Sequence, residues 1–155
     1  MNATSQTRKP DLVLTRVFDA PRELVFQAWT DPKHLAQWFG PHGFTNPFCK
    51  VDLRPGGEWR HVMRGPDGTD YPMISIYEEV VAPERLVFLT YVPDKEKPLF
   101  EILNTATFTA QGGKTKLVFE ARILKSTPEA APMLAGMEQG WSQSLERLSS
   151  YLAKA

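Results

Sequence analysis

The sequence predicts an α+β domain: a curved antiparallel sheet wrapped around one long C-terminal helix, with two short helices after the first strand. Three observations predict it. Leu134, Met137, Trp141, Leu145, Leu148 and Leu152 recur at steps of three or four, which is one stripe of a helix. Segments before it are rich in apolar and β-branched residues between tight Gly and Pro turns, the pattern of consecutive antiparallel strands. The stripe must also be buried against something, and a sheet is what precedes it.

The elements follow in order. Leu12 to Phe18 reads as the first strand, stopped by Asp19-Ala20-Pro21. Pro21 opens a helix over Arg22 to Trp29, with Leu24/Ala28 and Val25/Trp29 as i,i+4 pairs. Asp31 is an N-cap and Pro32 the first residue of a second helix, which Gly40-Pro41 stops. Cys49, Val51 and Leu53 alternate with Lys50, Asp52 and Arg54, giving a strand with one dry face. Pro55-Gly56-Gly57 turns into Glu58 to Arg64, where Trp59, His61 and Met63 share a face. Arg54, Arg60 and Arg64 are interleaved with Asp52 and Glu58, which makes the other face a solvated, cross-paired one. Gly65-Pro66-Asp67-Gly68 is a hairpin turn before a strand from about Tyr71 to Val81. Leu86 to Val92 follows, then a polar loop, Pro93 to Pro98. Glu101 to Ala110 and Lys114 to Ile123 form a last hairpin across Gly112-Gly113.

The final helix has two candidate starts, Pro128 after Thr127 and Pro132 after Ala131. A Pro132 inside a helix begun at Pro128 would strain its first turn. The expectation is a short first turn, a bend, and the main helix from about Pro132. Gly136 and Gly140 sit four apart on one side. Close approach of helix to sheet is the favoured reason, and a soft segment that opens a cavity mouth is the other.

Bulk properties exclude several function classes. The chain has 155 residues, enough for one domain with a real core. Lys+Arg and Asp+Glu both number 18, which argues against a nucleic-acid binder or a polybasic membrane-surface protein. The single Cys49 excludes an internal disulfide and a Cys-rich metal site and fits a reducing compartment. No apolar run reaches membrane-spanning length. Residues 1–10 read as a disordered tail with no signal core, and 11–155 as a single domain. A soluble cytoplasmic protein follows.

This order of elements, with particular words in it, resembles a known family. The words are Phe18-Asp19-Ala20-Pro21, Trp38-Phe39-Gly40-Pro41, Arg54-Pro55-Gly56-Gly57, Met63 through Gly68, Pro83-Glu84-Arg85-Leu86-Val87-Phe88, and Gly136-Met137-Glu138 with Gly140-Trp141. Together they span nearly all of residues 12–152. The chain is similar to the activator of heat-shock protein 90 ATPase homologue-like branch of the START/Bet v-like helix-grip superfamily. The resemblance implies a helix-grip fold with a space between sheet and helix. It also implies one of several jobs for that space: carriage of an apolar molecule, cyclase-like chemistry, or co-chaperone contact in stress. Fold alone does not choose among them.

The candidate ligand-binding residues are Trp38, Trp59, His61, Met63, Tyr71, Ile74, Ile76, Phe88, Met133, Met137 and Trp141. Alternation places Trp59, His61 and Met63 inward, with Ile74, Ile76 and Phe88 as further inward candidates. Met133, Met137 and Trp141 close the space from the helix, and Trp38 and Phe39 form part of its rim. The opposing reading is a solid core, since aromatic and Met stripes usually are core. His61 is the one titratable group on the inner face, and a hydrogen-bonded structural histidine is its favoured reading. His34 and His42 are expected to be solvated. The spacing of His34, His42 and Cys49 matches no tight zinc pattern, so no metal is expected. Cys49 sits mid-strand as a small hydrophobe, and no Ser elbow or phosphate cradle is present.

The expected function is therefore non-catalytic binding of a small apolar or amphipathic molecule, oriented by His61 or Tyr71, with no cofactor. A co-chaperone-like contact would instead use Phe39, Phe44 and Phe48 as an exposed patch. A cyclase-like enzyme would need a second polar group beside His61, which the sequence does not supply.

Overall fold

A computed structural model of the chain describes residues 9–91 and 100–154. The tail over 1–8 and the polar loop expected at Pro93 to Pro98 lie outside the described residues. Among those described, seven strands form one antiparallel sheet. They are β1 (Leu12–Phe18), β2 (Thr45–Val51), β3 (Glu58–Arg64), β4 (Asp70–Val81), β5 (Arg85–Tyr91), β6 (Phe100–Gln111) and β7 (Lys114–Ser126). Their order across the sheet is β1-β7-β6-β5-β4-β3-β2. Consecutive strands from β2 to β7 are neighbours, and short turns fix the register of β3 with β4 and of β6 with β7. β1 closes the far edge by pairing with β7, Leu14 opposite Phe119.

Helices α1 (Arg22–Thr30) and α2 (Pro32–Trp38) fill the connection from β1 to β2. The side chain of Asp31 accepts a bond from the Lys33 N–H at 2.9 Å, and Pro32 follows it at the start of α2. Trp38 closes α2 by donating its indole N–H to the Ala28 carbonyl at 2.9 Å, which ties the two helices together.

The end of the chain is more broken than the sequence suggests. A 3-10 turn, Pro128–Ala130, leads into a five-residue helix, α3 (Ala131–Ala135). Gly136 then interrupts it, and the long helix α4 runs from Met137 to Lys154. Pro132 does open a helix, but a short one. The main helix starts five residues later than expected, because Gly136 leaves the helical conformation (ψ 2°).

The apolar stripe therefore does two jobs. Leu145, Leu148 and Leu152 are buried in the core, each contributing about 1.5–3 kcal/mol. Leu134, Met137 and Trp141 are only partly buried and cover a space that the core does not fill. Neither glycine serves a close approach to the sheet. A Cβ at Gly136 would meet only carbonyl oxygens of its own turn at 3.8 Å, and one at Gly140 only Pro41 at 3.7 Å. Both are ordinary contacts.

Candidate functional site

The strand registers decide which side chains face the helix. Paired residues of neighbouring antiparallel strands share a face. Trp59 opposes Ser75, His61 opposes Met73 and Met63 opposes Tyr71, and Ser75 in turn opposes Thr90. On β6, Ile102 opposes Thr90 and Asn104 opposes Phe88. These side chains form the floor of a cavity of about 230 Å³ under α3 and the start of α4. Met133, Met137 and Trp141 roof it, and Phe39, Pro41 and Phe44 form one wall.

The structure brings together Trp59, His61, Met63, Tyr71, Phe88, Met133, Met137 and Trp141 from among the residues expected to bind ligand. Three of that set are not in the cavity. Ile74 opposes Tyr91 and Ile76 opposes Leu89, so both face the outer side of the sheet. The register set by the Arg64/Asp70 pair forces this, because a strand alternates with period two and Tyr71 is already inward. Trp38 is fully buried between Trp29 and Phe39 and forms no rim. Its neighbour Phe39 reaches the cavity instead.

The floor carries polar groups that the sequence does not single out. The hydroxyls of Ser75 and Thr90 lie 2.7 Å apart. The Asn104 amide donates to Thr90 Oγ1 at 2.9 Å and to the carbonyls of Phe88 and Ile102 at 3.2 Å each. All three residues are buried. Ser and Thr in a strand read as wet residues, and only the assembled registers reveal that these point at the helix. Symmetry of the β3–β4 hairpin about Asp67 is the signal that would have placed Met73 and Ser75 inward.

His61 is 3 % exposed and stacked on Trp59, with ring centroids 4.8 Å apart, while Phe39 meets it edge-on at 5.0 Å. Among the described residues neither ring nitrogen has a hydrogen-bond partner. This corrects the expectation of a hydrogen-bonded structural histidine. Burial away from water pushes its pKa down to about 4, so the ring is neutral at physiological pH. Cys49 opposes His61 across β2–β3; burial raises its thiol pKa, and the Trp59 indole pulls the other way more weakly. The cavity lining contains no Asp, Glu, Lys or Arg among the described residues.

Outside the cavity, α4 is bonded to the turn after α2. Arg147 donates to the carbonyls of Phe39, Gly40 and Pro41 at 3.2, 3.0 and 3.1 Å. The Gly40 N–H donates to Ser144 Oγ and the His42 N–H to Gln143 Oε1, each at 3.0 Å. A polar groove of about 670 Å³ runs along this seam. It is larger than the cavity and more polar; His42 pairs with Glu146 there at 3.2 Å and Arg147 is engaged as above. His34, expected to be solvated, bonds the Tyr151 hydroxyl from a partly buried position.

Of the aromatic patch expected on the surface, Phe39 packs inward against Trp59 and Trp141, and Phe44 lies near Tyr71 at the cavity edge. Phe48 alone is exposed, at 49 %. The Arg-rich face is solvated and ion-paired, but mostly within a strand: Arg60 pairs with Glu58 of its own strand at 3.0 Å, while Arg64 reaches across, to Asp70 at 2.7 Å. Among the described residues no cluster of three His, Cys, Asp or Glu side chains could hold a metal ion, and no helix is long and apolar enough to cross a membrane.

Comparison with known proteins agrees with this architecture. The family model described as "Activator of Hsp90 ATPase homolog 1-like protein" matches residues 19–153. No curated protein matches the chain. Among solved structures, a protein from Nitrosomonas europaea is 27 % identical and superposes with a TM-score of 0.79 over 94 % of this chain and 95 % of its own. One from Arthrobacter aurescens is 25 % identical, with a TM-score of 0.82 over 92 % of this chain and 86 % of its own. The AHSA1 protein of Silicibacter pomeroyi is 28 % identical, with a TM-score of 0.76 over 92 % and 96 %.

Proposed function

We propose that this chain, which belongs to the activator of Hsp90 ATPase homolog 1-like family, binds a small apolar or amphipathic molecule in the cavity between its sheet and α4. The observation that carries the reading is a largely apolar cavity, free of Asp, Glu, Lys and Arg among the described residues and roofed by a helix that is broken at Gly136. Cavities of this kind gain their affinity from burying ligand surface, and a few polar groups fix orientation.

Volume limits the ligand. A cavity of about 150 Å³ takes one benzene ring, and sites for drug-sized ligands begin near 300 Å³. At about 230 Å³ the space fits one or two fused rings, and a sterol or a long acyl chain exceeds it. The co-chaperone-like alternative loses support, because two of its three surface aromatics turn inward.

Met137→Trp tests the reading. Calorimetric titration with toluene and naphthalene should saturate in the wild type and vanish in the variant, whose thermal midpoint stays close to the parent's. Equal uptake by both proteins would remove the cavity as the binding site.

A further inference from the structure

The polar floor specifies what the ligand carries. We propose that the cavity selects a neutral, hydroxyl-bearing aromatic, a phenol, and holds its hydroxyl between the Asn104 amide oxygen and the Ser75/Thr90 hydroxyl pair. This deepens the ligand-binding reading above and rests on it.

Counting donors and acceptors leads there. Ser75 and Thr90 own two hydroxyl protons and share one bond, so one proton is unspent whichever oxygen donates. Thr90 Oγ1 also accepts from Asn104; if Ser75 donates to it the spare proton is Thr90's, and if Thr90 donates the spare proton is Ser75's. Asn104 spends its amide hydrogens on Thr90 Oγ1 and two carbonyls. Those acceptors fix the amide's orientation, and its Oδ1 has no donor among the described residues. The nitrogens of Trp59 and His61, unpartnered among the described residues, are buried, so the Ser75/Thr90/Asn104 group offers one donor and one acceptor on hydrogen-bonded neighbours that line the cavity.

A hydroxyl satisfies both at once, by donating to Oδ1 and accepting the spare proton. A carbonyl or an ether satisfies only the donor. A carboxylate would face the amide oxygen in a space with no cation among the described residues, since His61 is neutral there. The walls suit a ring: Trp59, Phe88, Phe39 and Trp141 all present aromatic surface.

The test is an amide NMR titration of the full chain at pH 7 with four toluenes that differ only in their para substituent: p-cresol, p-xylene, 4-methylanisole and p-toluate. A phenol, like a Tyr side chain, stays protonated at this pH. A plain apolar cavity prefers the xylene, because an unpaired hydroxyl is costly to bury. The expected order is reversed, with p-cresol about tenfold tighter than p-xylene and 4-methylanisole, the worth of two neutral hydrogen bonds. No p-toluate binding is expected.

Asn104→Leu and the double variant Ser75→Ala/Thr90→Val should each erase the cresol preference while p-xylene still binds. Equal or tighter binding of p-xylene by the wild type, or binding of p-toluate, would overturn the phenol assignment and leave the cavity reading standing. Absence of shifts with all four probes would overturn both. The wild-type series decides the matter even if a variant fails to fold.

Discussion

Trp141 lies flat on Trp29, with ring centroids 5.6 Å apart and planes 9° from parallel. The contact joins α4 to α1 and divides the last helix. Beyond it Leu145, Leu148 and Leu152 pack a solid core, and before it the stripe faces the cavity. Trp141 also meets Phe119 at 4.1 Å and Phe39 edge-on at 5.3 Å. Trp141→Ala is expected to cost about 3 kcal/mol, because a large ring is lost where the surroundings cannot collapse. The vacated space should join the cavity, so naphthalene binds more tightly to the variant than to the parent. Urea unfolding and calorimetry check the two parts. A stability loss under about 1 kcal/mol would mean that the stack does not hold α4 in place.

His61 makes stability depend on pH with a definite sign. Its folded pKa of about 4 lies below the unfolded value of 6.5. The unfolded chain therefore binds the proton first, and acid favours unfolding. The loss is absent above pH 6.5, grows as pH falls toward 4 and levels off below it. Integrated to pH 4 it is about 3 kcal/mol. His61→Phe keeps a ring on Trp59 and removes the titration. The difference between the two proteins in urea midpoint, followed from pH 7 to pH 4, isolates this residue from the carboxylates that titrate nearby in pH. Parallel curves would contradict it.

Two glycines predict opposite outcomes. A Cβ on Gly57 would sit 2.0 Å from the Asp52 carbonyl oxygen, in the turn that joins β2 to β3. Backbone must shift, and Gly57→Ala should cost about 3 kcal/mol. Gly136 has φ −91°, which alanine adopts, and a Cβ there would make only ordinary contacts at 3.8 Å. Gly136→Ala should stabilise by about 0.5 kcal/mol through the unfolded chain. Thermal midpoints of the pair give the comparison directly.

Arg147 holds three consecutive carbonyls, those of Phe39, Gly40 and Pro41, and so fixes the wall of the cavity from outside. Arg147→Met keeps the apolar stem and loses the charged donors, at a cost of about 2 kcal/mol. Arg147→Lys should recover little, since all three bonds come from Nη1, one bond beyond the reach of a lysine Nζ, and the Nη2 bond to the Gln37 carbonyl is lost as well. Urea unfolding of both variants measures this, and full recovery by lysine would refute the clamp.

The sequence was most legible where one face was plainly dry. Trp59, His61 and Met63 alternate with Glu58, Arg60, Val62 and Arg64, and the structure places all three in the cavity floor. It misled in β4, where apolar side chains occupy both faces. Ile74 and Ile76 read as inward cavity residues, yet the hairpin register gives the inner face to Tyr71, Met73 and Ser75. Hydrophobicity ranks residues and does not set parity; the turn does. Asn104 and Thr90 were invisible for a related reason. Their role comes from pairing across three strands, and no local pattern records it. The helix break had a visible cause in Gly136, but propensity alone could not say that the chain would use it.

The most direct test of the ligand-binding account is an assigned amide spectrum of the wild-type chain titrated with toluene. Saturable shifts at His61, Met63, Met137 and Trp141, with Gln37, Tyr151 and Lys154 unmoved, are the predicted result. Shifts confined to the outer polar groove, or none in a well-dispersed spectrum, would contradict it.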